Sequence, residues 1–303
     1  MLLDKESNFL ALEEEHCGES SAISILSFPL EKSVSYGEGT AGGPRAILDS
    51  SAFVEFYDEE YDKELCFEKG IATYPIHDFA DESAEKALEV IYADVKNELV
   101  KGKFVISLGG EHTISASPIK AHLEQYPDLH VLQVDAHSDL RDTYEGSKLS
   151  HASVMARVCE FLEPSRVHQV GIRAQCIEER QFIREKGVNT YFAHELKSGL
   201  HGGSYGSESS WQKKVVDGMG EKIYLTFDVD GLDPSIMPST GTPEPNGLYY
   251  HETLDLVREI AKQGKQIVGF DVVELAPVEG LSHPDILTAR LIYKILNIIN
   301  YQK

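Results

Sequence analysis

Positive charge is scarce in this chain. Against 50 Asp and Glu, the 303 residues carry 28 Lys and Arg, for a formal net charge of −22. A field of that sign repels nucleic acid and anionic membrane and draws in cations, so a metal ion or a cationic metabolite is the expected partner. Cysteine is scarce as well. Cys17, Cys66, Cys159 and Cys176 form no C-x-x-C pair and no zinc-finger spacing, and they read as free, mostly buried thiols in a reducing compartment. No apolar run approaches the roughly 18 residues that span a bilayer. The stretch from Met1 to Glu15 is acidic rather than basic-then-apolar, so no secretory signal is expected. These lacks predict a cytoplasmic protein with no nucleic-acid and no membrane partner. What is present suits a globular fold: 42% hydrophobic and 26% charged residues place the chain among ordinary soluble domains rather than disordered ones.

Short apolar, β-branched runs alternate with stretches of helical periodicity. Strands are predicted over 22–28, 104–108, 131–134, 167–172, 188–192, 222–229 and 266–272. Helices are predicted from Pro44 onward and over 83–99, 113–123, 150–162, 177–186, 252–262 and 284–299; Ser83 is placed to cap one of them and Gly102 to end it. Alternation of this kind argues an α/β fold with a mostly parallel sheet covered on both faces. No repeat, linker or change in composition divides the chain, so 1–303 reads as a single domain. The Gly-rich stretch 37–43 matches G-x-G-x-x-G in letters. It begins several residues after its strand rather than in the tight turn, so it reads as a flexible loop over a pocket instead of a dinucleotide fingerprint. The Gly/Ser-rich stretch 198–210 reads as a flexible surface loop.

The run Val131-Leu132-Gln133-Val134 passes directly into Asp135-Ala136-His137-Ser138-Asp139. Alternate side chains of a strand point the same way, so Asp135, His137 and Asp139 leave the strand end aimed at one place. Carboxylate oxygen with imidazole nitrogen suits a hard or borderline divalent ion such as Mn²⁺, although the same letters also make a polar turn. Three further strand ends are chemically loaded: His112 after Gly109-Gly110, Asp228 and Asp230, and Glu274. Singly these read as a loop histidine, turn-capping aspartates and a surface carboxylate. In open α/β sheets ligands bind beyond the carboxyl ends of the strands, where all four would converge. Four aspartates there would repel one another unless cations sat among them, and two divalent ions supply the matching +4. Six protein ligands would saturate one octahedral ion, whereas two ions roughly 3.5–4 Å apart with bridging carboxylates keep positions open. A binuclear site is the economical inference.

Gly109-Gly110-Glu111-His112, Asp135 to Asp139, Ser150-His151-Ala152-Ser153, Phe227 to Pro234, Thr240-Gly241-Thr242-Pro243 and Val273-Glu274 follow one another along most of the chain. With these motifs it resembles the ureohydrolases, the arginase and agmatinase family; Gly39-Thr40 and Gly43-Pro44-Arg45-Ala46-Ile47 look like the agmatinase branch. The resemblance implies a three-layer α/β/α sandwich, two Mn²⁺ per chain and a homo-oligomer, trimer or hexamer. One ion would be held by His112, Asp135, Asp139 and Asp228, the other by Asp135, His137, Asp228 and Asp230.

A guanidinium stays protonated and its carbon is a poor electrophile, so its hydrolysis needs a strong nucleophile such as metal-activated water. Glu274 would orient the guanidinium, Asp139 the nucleophile, His151 would move protons to the leaving amine, and Thr242 would lend a hydroxyl. An arginase clamps an amino acid's carboxylate and ammonium; here Arg141 stands where its Asn is expected and Thr143-Tyr144-Glu145-Gly146 follows. The expected reaction is therefore hydrolysis of agmatine, a small cationic guanidine, to putrescine and urea, a step of polyamine biosynthesis, with Asp142 or Glu145 facing the ammonium. Guanidinobutyrate, for which Arg141 leaves an opening, and aminopropylagmatine stand as alternative substrates. A metal-dependent deacetylase or a catalytically silent binding protein on the same fold stand as alternative functions.

Overall fold

A computed structural model describes residues 2–197 and 210–302. Its frame is one sheet of eight strands: β1 Ile23–Phe28, β2 Ile71–Thr73, β3 Phe104–Gly109, β4 His130–Val134, β5 Val167–Ile172, β6 Asn189–Phe192, β7 Lys222–Asp228 and β8 Gln266–Val273. Their order in the sheet is β2-β1-β3-β8-β7-β4-β5-β6, and every neighbouring pair is parallel. β1 and β5 are buried along their whole length, as expected of strands covered on both faces. Successive residues serve opposite faces. Ile106 and Leu108 of β3, and Leu132 and Val134 of β4, pack with the helices Gly43–Ser51, Tyr250–Lys262 and His283–Tyr301. Val105 instead meets the helix Ala84–Val100, and Val131 meets Ile119 of the helix Ala116–Gln125 and Ile183 of the helix Ile177–Lys186. The result is a three-layer α/β/α sandwich. Among the described residues no helix is long and apolar enough to cross a membrane.

The helix Ala84–Val100 shows why the local sequence folds as it does. Ser83 accepts a hydrogen bond from the Lys86 N–H at its start, and Ala87, Ile91, Val95 and Leu99 form its buried stripe. Elsewhere the elements differ from the periodicity in instructive ways. β2 is three residues long, too short for alternation to register. The helix expected over 113–123 opens with a 3₁₀ turn, His112–Ser115, before the α-helix Ala116–Gln125. The one expected over 150–162 is a 3₁₀ turn, His151–Ser153, followed by the short helix Val154–Val158. The Gly/Ser-rich stretch lies, apart from Ser210, outside the described residues.

The Gly-rich loop is pinned. Glu31 accepts from the Gly39 N–H (2.9 Å), the Thr40 hydroxyl (3.2 Å) and the Ala41 N–H (2.6 Å), so its own carboxylate takes the amides a phosphate would need. Gly37 meets Gly241 so closely that a Cβ would lie 2.8 Å from that backbone.

Strand order does the most for the site. β3, β8, β7 and β4, whose ends carry His112, Glu274, the Asp228–Asp230 pair and the Asp135 motif, are consecutive neighbours in the middle of the sheet.

Candidate metal centre

Backbone packing delivers each ligand-bearing segment. After β3 the chain passes through Gly109-Gly110, where a side chain has no room. A Cβ on Gly110 would strike the Leu30 carbonyl, and one on Gly109 would come within 2.7 Å of Ile114 and Val273. That close approach sets His112 in place. Past β4 the His137 N–H donates to Asp135 Oδ1 (2.5 Å) and the Ala136 N–H to Asp230 Oδ1 (2.9 Å). Past β7 the Asp230 N–H donates to Asp228 Oδ1 (2.8 Å). Asp139 and Glu274 both adopt left-handed backbone, with φ of 54° and 65°. Such a conformation costs of order 1–3 kcal/mol for a non-glycine residue and persists only where the surroundings impose it. Here they do: the Met155 and Ala156 N–H groups donate to the Asp139 carbonyl, and the Glu274 N–H donates to the Gly110 carbonyl.

The side chains then converge. His112 Nδ1 lies 2.9 Å from Asp139 Oδ2, 3.1 Å from Asp135 Oδ2 and 3.4 Å from Asp228 Oδ2. His137 Nδ1 lies 2.9 Å from Asp230 Oδ2 and 3.7 Å from Asp135 Oδ1. Two clusters that could each hold a metal ion follow, His112/Asp135/Asp139 and Asp135/His137/Asp230, and they share Asp135. Ligands about 2.1 Å from an octahedral ion stand about 3 Å apart, which is the spacing found.

The donor set fits an ion for a second reason. His112 Nδ1 is buried and makes no hydrogen bond of acceptable geometry. Its Nε2 lies 2.9 Å from Thr226 Oγ1, and the Thr226 hydroxyl donates to Asp271 Oδ1 (2.7 Å). Thr226 can therefore only accept from Nε2–H, which leaves the Nδ1 lone pair bare and aimed at the carboxylates.

Electrostatics report the same crowding. Burial, with Asp135 beside it, pushes the Asp139 carboxyl up to about 7. Burial likewise lifts Asp228 and Glu274 well above the usual carboxylate range. Burial works against a charged imidazole, yet the surrounding carboxylates overcome it: Asp135, Asp139 and Asp228 raise His112 well above its ordinary value, and Asp230 and Asp135 carry His137 to about 12. Asp135 is held below its usual range because His112 and His137 outweigh its burial. Carboxyls and imidazoles shifted upward together in one buried cluster are groups competing for positive charge, which a bound cation would supply.

A cavity of about 250 Å³ opens beside the clusters, lined by His137, Asp139, Arg141, Tyr144, His151 and Thr242 among others. His151 begins its 3₁₀ turn with Nδ1 3.1 Å from Ser33 Oγ, and its ring stands edge-on to Tyr144 at 5.5 Å. Burial, with His112 and His137 adding to it, lowers its pKa. Glu274 is buried and accepts the His112 N–H on Oε1 (2.6 Å). Arg141 lies over the Tyr144 ring, 3.9 Å from Glu179. Glu274, Glu145 and Asp142 are not among the residues lining this cavity. Glu145 sits exposed at the tip of the turn closed by Tyr144 and Ser147, and Asp142 is exposed and paired with Arg157 (3.0 Å) and Lys148 (3.6 Å).

Sequence reasoning passed over Gln133 and Thr226, which touch the candidate ligands Asp135 and His112 from behind, and Asp271, which accepts from Thr226. Each is a polar residue inside an otherwise apolar strand run, a pattern that itself signals a partnered interior group.

Comparison with known proteins gives a consistent picture. A family model described as the Arginase family matches residues 21–297. An N(1)-aminopropylagmatine ureohydrolase from Synechocystis sp. is 36% identical over 296 residues, covering 95% of this chain and 92% of that protein. An agmatinase from Bacillus anthracis is 36% identical over 265 residues, covering 86% and 85%. Among solved structures, the agmatine ureohydrolase of Thermoplasma volcanium superposes with a TM-score of 0.84 at 26% identity, covering 99% of this chain and 96% of that one.

Proposed function

The chain belongs to the arginase family and is a hydrolase acting on guanidino compounds; from that premise we propose that it is a binuclear manganese enzyme converting agmatine to putrescine and urea. The observation that carries this reading is the sharing of Asp135 by two His/Asp clusters at the edge of a cavity lined by His151 and Thr242. One ion would be held by His112, Asp135, Asp139 and Asp228, the other by Asp135, His137, Asp228 and Asp230. When bound, the pair supplies Lewis acidity and brings the pKa of a coordinated water toward about 7.

The remaining work falls to the chain's own side chains. Hydrolysis adds the elements of water across one C–N bond of the guanidinium, so an oxygen must reach the carbon and a proton must reach the departing amine. Glu274 would present carboxylate oxygen to the planar cation and fix the carbon's position, and the Thr242 hydroxyl would offer it a further polar contact. Asp139, whose carboxyl already competes for protons, orients the attacking oxygen. His151 delivers the proton to the amine nitrogen; with Nδ1 tied to Ser33, Nε2 is the atom left to carry it. Glu145, exposed on the turn next to Tyr144, would attract the far ammonium from a distance.

In the cavity lining Arg141 stands where the Asn of an arginase's zwitterion clamp is expected, and the field of the whole chain favours a cation. Aminopropylagmatine is a second reading, supported by the relative of that name, whose match spans nearly the whole chain. Residues 1–303 are read as one domain that assembles as a trimer or hexamer, which sedimentation of the Mn²⁺-loaded protein tests. Urea release from agmatine, aminopropylagmatine, guanidinobutyrate and arginine tests the function. A kcat/KM highest for agmatine is expected; guanidinobutyrate exceeding it would overturn the cationic pocket, and no urea from any of the four would overturn the reaction.

A further inference from the structure

We infer that Gln133, backed by Gln169 and Thr190, is a positioning residue that holds Asp135 ready to bridge two ions. The inference rests on the reading of Asp135 as a metal ligand. Gln133, Gln169 and Thr190 lie side by side across β4, β5 and β6, in register. Both glutamines are wholly buried, at 0% exposure, a placement that polar side chains tolerate only when satisfied. They are. Gln133 Nε2 donates to Asp135 Oδ2 (2.7 Å) and to the His137 carbonyl (3.2 Å). Gln169 Nε2 donates to Gln133 Oε1 (2.7 Å) and to the Ser138 carbonyl (2.7 Å). The Thr190 hydroxyl donates to Gln169 Oε1 (2.9 Å).

The direction of this row is forced. A carboxylate and two backbone carbonyls accept and cannot donate, so both amide nitrogens must face the metal end and both amide oxygens must face away. Thr190 has a hydroxyl to give, and it closes the far end. Every donor in the row therefore points toward Asp135 and the segment that carries His137 and Asp139.

The consequence lies at Asp135 itself. Oδ1 accepts from the His137 N–H and Oδ2 from Gln133. Each oxygen thus has one donor fixing it and a further lone pair to offer. Oδ2 offers its lone pair beside His112 and Oδ1 beside His137, one toward each cluster. Without Gln133 only the His137 N–H on Oδ1 holds the carboxylate, and Oδ2 can swing so that both oxygens bind one ion.

The test is Mn²⁺ affinity, read from the magnetic resonance of free Mn²⁺ during titration of the whole chain and of Gln133→Met, Gln169→Met, Thr190→Val and Asp135→Ala. Partners behind metal ligands typically contribute 10–100-fold in affinity. The expected result is a loss of that order for Gln133→Met, smaller losses in order for Gln169→Met and Thr190→Val, and loss of the shared site in Asp135→Ala. A role confined to packing would lower the melting temperature without this graded loss. Wild-type affinity in Gln133→Met, with Asp135→Ala impaired, would overturn the relay alone. Wild type and Asp135→Ala binding alike would overturn the metal reading on which the relay depends. If Gln133→Met fails to fold, Gln169→Met and Thr190→Val decide: graded losses support the relay, and wild-type affinity in both overturns it.

Discussion

Strand β4 brings a histidine to each of its ends, and the two ends treat the imidazole in opposite ways. His130 opens the strand; burial and the nearby Arg166 and Lys265 lower its pKa. His137 lies three residues past the strand's last, Val134, and Asp230 and Asp135 carry it to about 12 against its burial. The contrast extends across the sheet. His168, near the start of β5, stands 3.2 Å from His130 and is lowered to about 3, chiefly by burial. His112, past the end of β3 and equally buried, is raised well above its ordinary value by three carboxylates. Burial alone makes a neutral core histidine. Burial among carboxylates makes a place for positive charge, and the carboxyl end of this sheet is where the carboxylates gather.

If that contrast is chemical, removing an acid from the carboxyl end should have the largest effect. Asp230→Ala is expected to lower bound Mn²⁺ below two per chain and to cut urea release by more than the roughly 10²–10³-fold typical of losing one polar stabiliser. Metal analysis and a urea assay on the same sample check both; full metal content with full activity would remove Asp230 from the centre. Glu274→Gln should fall within that range in kcat/KM while keeping its metal, since its carboxylate is assigned to the substrate.

Stability against pH sharpens the comparison at both ends. His122, on the helix Ala116–Gln125, is fully buried and lowered to about 4 from an ordinary 6.5. Its unfolded form takes up a proton first, so its stabilisation is complete above pH 6.5 and is lost as pH falls toward 4, by up to about 3 kcal/mol. Asp139 works the other way. Its folded pKa of about 7 lies above the ordinary 3.8, so the metal-free protein binds a proton that the unfolded chain has released, and its contribution weakens as pH rises from 4 through 7. Melting in chelator across pH 4 to 8 should therefore show a maximum between these limits, and Mn²⁺ should add most stability at the alkaline side. Equal stabilisation by Mn²⁺ at pH 5 and pH 8 would contradict this. The smallest effect belongs to exposed charge: Glu145→Gln should raise KM for agmatine about two- to threefold at low salt, with kcat unchanged, and the difference should vanish as salt screens it.

Much of this was legible along the chain. β5 and the helix Ile177–Lys186 coincide with their periodicity, and β1 differs from the expected 22–28 by one residue, because apolar runs and caps are local signals. The convergence of His112, the Asp135 motif, the Asp228–Asp230 pair and Glu274 was legible as four loaded strand ends. That β3, β8, β7 and β4 are consecutive in the sheet was not, since strand order depends on how crossovers pack. Gln133 reads along the chain only as a lone polar residue in the run 131–134. Its significance lies in cross-strand register with Gln169 and Thr190, which one-dimensional spacing does not carry. Glu145 shows the reverse: its place in the motif suggested the substrate's far end, while the turn around it leaves it exposed and outside the cavity lining.

The most direct measurement is a count of tightly held Mn²⁺ on the purified chain, by elemental analysis after removal of free ion, alongside its Asp135→Ala variant. Two ions per chain, with loss of the pair when Asp135 is removed, is the expected outcome. A single ion per chain, or two that survive the loss of Asp135, would contradict a centre built around that shared carboxylate.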